Sequence, residues 1–331
     1  AEIVFTSGGT ESNNAAVNST LQCGPGGKHI VTTAVEHSAT YRYCEQLARR
    51  GCAVTFVGVD SDGNLDLDEL ASAIRPETAL VSVMWANNET GVLFPVERIA
   101  EIARQKRVLF HTDAVQAAGK LPIRLRDSVI NFCSVSGHKL HAPKGVGALY
   151  VNRRSAFRPT LIGGDQENSR RAGTENVASI VGLGKAAERA AEAMASEQNL
   201  VRALRDRFET AILTAVPETF VNGDREARLP NTSSVAFAGI ESAAALVLLD
   251  QQGVCCSAGS ACHTGSLQPS HVLRAMKLSE DRLRGSLRFS FGRFNAEAEV
   301  EKAITILRQT IGKLRRLCAS PAGTSYVQPQ T

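Results

Sequence analysis

ALVSVMWANNETGVLFPVERIAEIARQKRVLFHT, residues 79–112, is the stretch that decides the fold. It opens on a short apolar run at 79–86, passes a polar NNETG turn at 87–91 and closes on a second apolar run at 108–112. Between them, 95–107 places Val96, Ile99, Ala100 and Ala103 at the spacing of one helical face, and Pro95 suits the first turn of that helix. Two strands without polar alternation, joined by an amphipathic helix, make a parallel unit with both sheet faces covered. The rhythm continues on either side. KHIVTT (28–33) and AVTFVGV (53–59) read as strands, 38–50 and 66–75 as helices, and 129–135 and 146–151 as strands flanking SGHKLHAPKG. The predicted fold class is α/β, with a mostly parallel, seven-stranded-type sheet sandwiched by helices.

Further along, an alanine-rich helical stretch at 177–215 is expected to contain a break and to lead out of this layer structure. The pattern then becomes α+β: strand 233–238, helix 241–252, strand 253–257, helix 269–277, strand 286–291 and helix 296–317. In that last helix Val300, Ile304, Leu307, Ile311 and Leu314 recur at 4-3-4-3 spacing, which fits packing on the smaller sheet better than a coiled coil. The expected organisation is a large cofactor-binding domain at 1–200 with its N-terminus truncated, and a small C-terminal domain at 201–318. A disordered tail is expected at 319–331.

A chain of 331 residues can bury a large core and form two domains. Its 43% hydrophobic and 21% charged residues are ordinary for a soluble protein. The net charge of +4 is scattered, with no basic block, which argues against nucleic-acid binding. No apolar run approaches the roughly 20 residues of a membrane span. The sequence begins inside a strand, without an initiator methionine, so a fragment is expected, with any targeting segment absent. There are 8 cysteines and no CxxC pair, which points to a reducing compartment, cytoplasm or mitochondrial matrix, where most serve as small buried hydrophobes.

Chemistry gathers in three places. Thr6-Ser7-Gly8-Gly9-Thr10 is a glycine turn opening a helix, a setting that attracts phosphate but is more often a simple capped helix. Neither a Walker motif nor G-x-G-x-x-G occurs, so nucleotide binding has no support. Asp113 ends a buried strand, where a carboxylate needs a partner or a ligand. Lys139, in Ser136-Gly137-His138-Lys139, sits between apolar strands, where an amine loses its proton more readily and forms a Schiff base. Separately these are a capping acid and a snorkelling lysine. Together they meet the needs of pyridoxal 5′-phosphate: an amine for its aldehyde, an acid for its ring nitrogen and a cradle for its phosphate at Thr10 and Ser136. His37, closing another strand, offers an aromatic face.

With FTSGGTESNN (5–14), AVEH (34–37), NNETG (87–91), HTDAVQAAGK (111–120), SGHK (136–139), RAGTEN (171–176), SAGSACH (257–263) and LRFSFGR (287–293), the sequence resembles the cysteine desulfurases and selenocysteine lyases. The match runs from residue 1 to about 315. The resemblance implies a homodimeric pyridoxal-phosphate enzyme of fold-type I. It implies that Lys139 carries the cofactor, that Asp113 pairs with the ring nitrogen and that Asn88 and Gln116 lie near its 3-hydroxyl. His37 would stack on the ring, while Gly9, Thr10, Ser136 and His138, with Thr174 from the partner subunit, would hold the phosphate. Arg288, with Asn88 beside it, would bind the substrate carboxylate. Relatives also carry a segment before FTSGG. His141-Ala142 departs from the family's Tyr-Gly, and Asp165 and Asn168 replace a Gly and an Arg.

By residue type Cys262 is most simply a buried structural thiol, but its small-residue loop and the resemblance make it the catalytic thiol. The implied reaction takes L-cysteine to L-alanine, leaves a persulfide on Cys262 and hands sulfur to an iron–sulfur scaffold or a tRNA-thiolation relay. The nearest alternative is a selenocysteine lyase acting on L-selenocysteine. An aminotransferase would not need Cys262, and a degenerate, non-catalytic binding or regulatory member is the reading from another class. A metal cluster of Cys255, Cys256, Cys262 and His263 is disfavoured, since adjacent cysteines ligate together poorly; no metal site is expected.

Overall fold

The computed structural model describes residues 2–23, 28–259 and 270–319. Strands β1 (Ile3–Thr6), β2 (His29–Thr33), β3 (Ala53–Val57), β4 (Thr78–Ser82), β5 (Leu109–Asp113), β6 (Phe132–Ser136) and β7 (Gly147–Val151) form one sheet in the order β1-β7-β6-β5-β4-β2-β3. Only β7 opposes its neighbours, β1 and β6; the remaining pairs are parallel. Helices α1 (Gly9–Cys23), α2 (Ser38–Arg49), α3 (Leu67–Ala73) and α4 (Val96–Gln105) cover its faces. Every residue of β2 is buried, as a central strand requires when both faces are covered. The expected α/β sheet is the one observed.

Between β6 and β7, the 3-10 turn Gly137–Leu140 follows β6 directly. After β7 comes a single short turn, α5 (Gln166–Ser169), in which Glu167, Asn168 and Ser169 all have positive φ of 51°, 56° and 61°. Left-handed backbone is costly for residues bearing a Cβ. Here Glu167 is anchored by accepting from the Phe5 N–H at 3.1 Å, and Arg170 donates to the Ile3 carbonyl at 3.0 Å.

Helix α6 (Val177–Ala215) runs 39 residues without interruption, so the expected break is absent. Alanine-rich sequence favours continuity, and both ends are pinned. Leu183 and Ala190 pack with Leu140 and Val146, while Leu204, Phe208 and Ile212 enter a second core. That core lies on an antiparallel sheet of β8 (Thr219–Val221), β9 (Thr232–Phe237) and β10 (Ser286–Ser290). The core also includes residues of α7 (Ser242–Asp250) and α10 (Glu297–Ala319). Val300, Ile304, Leu307, Ile311 and Leu314 all face into it, which accounts for their spacing. The expected strand 253–257 is reduced to an isolated bridge between Ser257 and Arg288. Two short helices, α8 (His271–Ala275) and α9 (Glu280–Arg284), precede β10, and Val272, Leu273, Met276 and Leu283 join the core of the large sheet. The expected tail, all but its first residue, and Cys262 with His263 lie outside the described residues. Among the described residues no helix is long and apolar enough to cross a membrane.

Candidate active site

Parallel strands end together, and the segments that leave those ends carry the polar residues. Asp113 is the last residue of β5, Ser136 the last of β6, and the turn after β1 delivers Gly9 and Thr10 at the start of α1. This is the crevice where ligands bind in open α/β sheets. A cavity of about 180 Å³ there is lined by Gly9, Thr10, Asn13, His37, Met84, Asn88, Asp113, Val115, Gln116, Ser136, His138, Lys139 and Arg288. Ten residues singled out from sequence therefore share one cavity. The two others do not: Thr174 lines a separate cleft with Ser7 and Arg171, and Cys262 is outside the described residues.

Asp113 is almost fully buried, at 5% exposure. Its Oδ2 accepts from Asn13 Nδ2 at 2.6 Å and its Oδ1 from the Val115 N–H at 2.9 Å. Burial pushes its carboxyl above the ordinary range, against the lowering effect of those two donors and of His37 and Lys139. Asn13 stands four residues after Gly9, on the same face of α1; that spacing was the one sequence signal for a partner the reading missed. Behind the site His111 bridges β4 and β6, with Nδ1 2.8 Å from Ser82 Oγ and Nε2 2.9 Å from Ser134 Oγ. Burial holds it neutral, down to about 3.

His37 does not close a strand: β2 ends at Thr33, and His37 caps α2, its Nδ1 accepting from the Ala39 N–H at 3.2 Å. Ser136 Oγ lies 2.8 Å from His138 Nδ1, and burial, followed by Lys139 and Lys144, holds His138 below its usual value. Lys139 stands exposed on the 3-10 turn. From the second sheet, Arg288 reaches across and its Nη1 donates to the Asn88 carbonyl at 2.7 Å. His141, one of the departures from the family pattern, ends the 3-10 turn in left-handed conformation and meets Phe294 edge-on.

Near Thr174, Arg171 makes a two-pronged pair with Glu11 at 2.9 and 3.1 Å, tying this loop to the first turn of α1. Thr174 does not cap α6; Asn176 does, accepting from the Ser179 N–H at 3.3 Å.

The residues present suit pyridoxal phosphate. Gly9 leaves a space that a Cβ would close, since it would meet Val115 Cγ2 at 2.7 Å and Ser136 Cβ at 3.4 Å. Buried Asn13 Oδ1 and Asn88 Oδ1 have no hydrogen-bond partner among the described residues, which is costly unless a ligand or water supplies one. Two further groups went unnoticed in the sequence. Glu36 is completely buried, its Oε1 accepting from Thr33 Oγ1 at 2.8 Å and from the Met84 N–H at 3.0 Å. Burial, reinforced by nearby Asp113, pushes it up to about 8. The other is Lys120, whose Nζ donates to the Gln116 carbonyl at 3.0 Å.

A buried acid, a lysine and a helix start converging on the ends of a mostly parallel sheet define a class: the pyridoxal-phosphate-dependent enzymes. Residues 1–303 match the aminotransferase class-V family, and the chain belongs to it. A cysteine desulfurase of Gluconacetobacter diazotrophicus is 52% identical over 96% of this chain and 79% of its own length. The cysteine desulfurase NifS of Azotobacter vinelandii is 50% identical over 99% of this chain and 82% of its own. Among solved structures, a NifS-like protein superposes with a TM-score of 0.88 at 34% identity, covering 95% of this chain and 83% of that one. DndA of Streptomyces lividans gives 0.77 at 38%, covering 88% and 83%.

Proposed function

We propose that this chain is a cysteine desulfurase, taking L-cysteine to L-alanine and collecting the sulfur as a persulfide on Cys262. One observation carries the reading: the cavity at the strand ends gathers a lysine, a buried acid, a phosphate cradle and an arginine, in a chain about half identical to cysteine desulfurases. Bound pyridoxal 5′-phosphate supplies an aldehyde that captures amines and an electron sink for the substrate's carbon skeleton.

Lys139 would hold that aldehyde, and its free amine would move a proton at the substrate α-carbon. Asp113, aimed by Asn13 and the Val115 N–H, would pair with the ring nitrogen, and a cationic partner there would offset the burial that raises its pKa. His37 would stack on the ring, and Asn88 and Gln116, which line the same cavity, would lie at its 3-hydroxyl. Gly9 and Thr10 at the start of α1, with Ser136 and His138, hold the phosphate. In a homodimer Thr174 of a second copy completes that cradle. Arg288, oriented by the Asn88 carbonyl, takes the substrate carboxylate through a charge-assisted pair. The Cys262 thiolate attacks the substrate sulfur; the carbon–sulfur bond breaks, its electrons stay on carbon, and that carbon takes a proton to become the alanine methyl. The persulfide then passes to an acceptor such as an iron–sulfur scaffold or a thiolation relay.

Lys139→Ala tests the core of this reading. The visible band of the bound cofactor disappears, and borohydride no longer fixes cofactor on the peptide containing residue 139. Cofactor fixed on another lysine of the unmodified chain would overturn it.

A further inference from the structure

A second cavity, of about 290 Å³, adjoins the first and shares Asn88, Gln116, His138, Lys139 and Arg288 with it. Lys120 lines it. The residue arrives there through Gly119, whose φ of +73° and bare Cα let the chain press on Leu140. A Cβ at 119 would come 2.3 Å from Leu140 Cδ2 and 3.1 Å from Ala190 Cβ. Leu140 directly follows Lys139, so this contact sets two lysine side chains against one space. Lys120 Nζ is held by a neutral acceptor, the Gln116 carbonyl, and its own carbonyl is gripped by Gln198 Nε2 of α6.

The charged and titratable groups around it are identifiable. Lys139, His138 and His141 face it from the 3-10 turn, and Arg288 and Arg293 from β10 and the loop beyond. Glu197 comes from α6 but is paired with Arg293 at 2.8 Å. Burial and the proximity of Lys139 hold the Lys120 amine down to about 8. It therefore still carries charge near neutrality and loses it at mildly alkaline pH.

We propose that Lys120 is a positioning residue that sets the protonation of Lys139, its positive charge keeping the Lys139 amine neutral and nucleophilic. Two like charges lining one cavity, one of them on a buried amine, disfavour double protonation. The proposal rests on the reading of Lys139 as the cofactor's attachment point.

Two measurements on the full chain separate the two ideas. With cofactor bound, the pH titration of the visible band should move upward by about one unit in Lys120→Met and stay near the parent's position in Lys120→Arg. After cofactor removal, Lys139 should react about 10-fold more slowly with an acylating reagent near neutrality in Lys120→Met, read on its own peptide. Lys120→Arg should retain the fast reaction, and retain it at alkaline pH, because a guanidinium does not titrate there. Far-UV circular dichroism establishes that each variant is folded. If Lys120→Met does not fold, Lys120→Arg decides alone: a Lys139 profile identical to the parent's through alkaline pH would overturn the proposal. An unshifted band and unchanged Lys139 labelling in folded Lys120→Met would do the same, leaving Lys120 as a strut for the 114–120 turn. Borohydride fixation at residue 139 in the parent keeps the attachment-point reading intact through either failure.

Discussion

Glu36→Gln removes a buried acid while keeping its shape. The acceptor oxygen that serves Thr33 Oγ1 and the Met84 N–H survives as the amide oxygen. In the parent, Glu36 titrates at about 8 when folded, against 4.5 when solvated. Between those values the folded chain binds a proton that the unfolded chain has released, so stability falls as pH rises. The contribution is intact below the unfolded value, erodes from there upward and levels off past the folded one. Worked through the linkage relation, the loss between about pH 5 and about pH 8 comes to roughly 3–4 kcal/mol. The glutamine variant lacks this dependence. The difference in unfolding free energy between variant and parent should therefore grow by about that amount across the interval, in favour of the variant, while other titrating groups cancel. Urea unfolding of cofactor-saturated protein measures it, followed by far-UV circular dichroism and by the fluorescence of Trp85, the one tryptophan, which is buried near Met84. Parallel stability curves for the two proteins would show that Glu36 is ionised in the fold and would refute the reasoning.

Arg288→Ala should raise the apparent Kd for L-cysteine about 10- to 150-fold, from a lost charge-assisted pair of about 1.5–3 kcal/mol, with cofactor affinity unchanged; spectral titration checks both. Cys262→Ser should bind cofactor and substrate normally but form no persulfide, and sulfide output matching the parent's would refute its role. Glu209→Ala strands Arg228, whose two nitrogens lie 2.6 and 2.5 Å from the Glu209 oxygens with both side chains buried. The expected loss is about 3–5 kcal/mol of stability, seen in denaturant melts. Mixing Thr174→Ala with Lys139→Ala should yield heterodimers in which the site retaining Lys139 recovers tight cofactor binding; confirmed heterodimers with no recovery would exclude a shared site.

The main sheet was legible because its strands are short, mostly buried runs without regular polar alternation, set between amphipathic helices, a contrast that local sequence carries. The principal site was legible for a related reason: Asp113 and Ser136 end apolar runs, and a polar residue there has only the sheet's edge to face. Short elements were not. Thr219-Phe220-Val221 is too brief to show a period, and Cys255-Cys256-Ser257 looks like a strand until Arg288 allows only one bridge. Asn13, Glu36 and Lys120 escaped because each matters through what surrounds it. Asn13 gains its role from Asp113, a hundred residues away, Glu36 from complete enclosure and Lys120 from the close approach of Gly119 to Leu140. His37 illustrates the reverse: its place at the site was readable, its duty as a helix cap was not.

Helix α6 has a mechanical consequence. At 39 residues it is about 58 Å of continuous beam, with one end bedded beside Leu140 and the other in the core under β9 and β10. A tilt of one degree or so at the lysine end sweeps the far end through about 1 Å. No loop in that span absorbs the motion. Side-chain adjustments beside Lys139 too small to notice locally would thus be geared up into displacements of the sheet that carries Arg288.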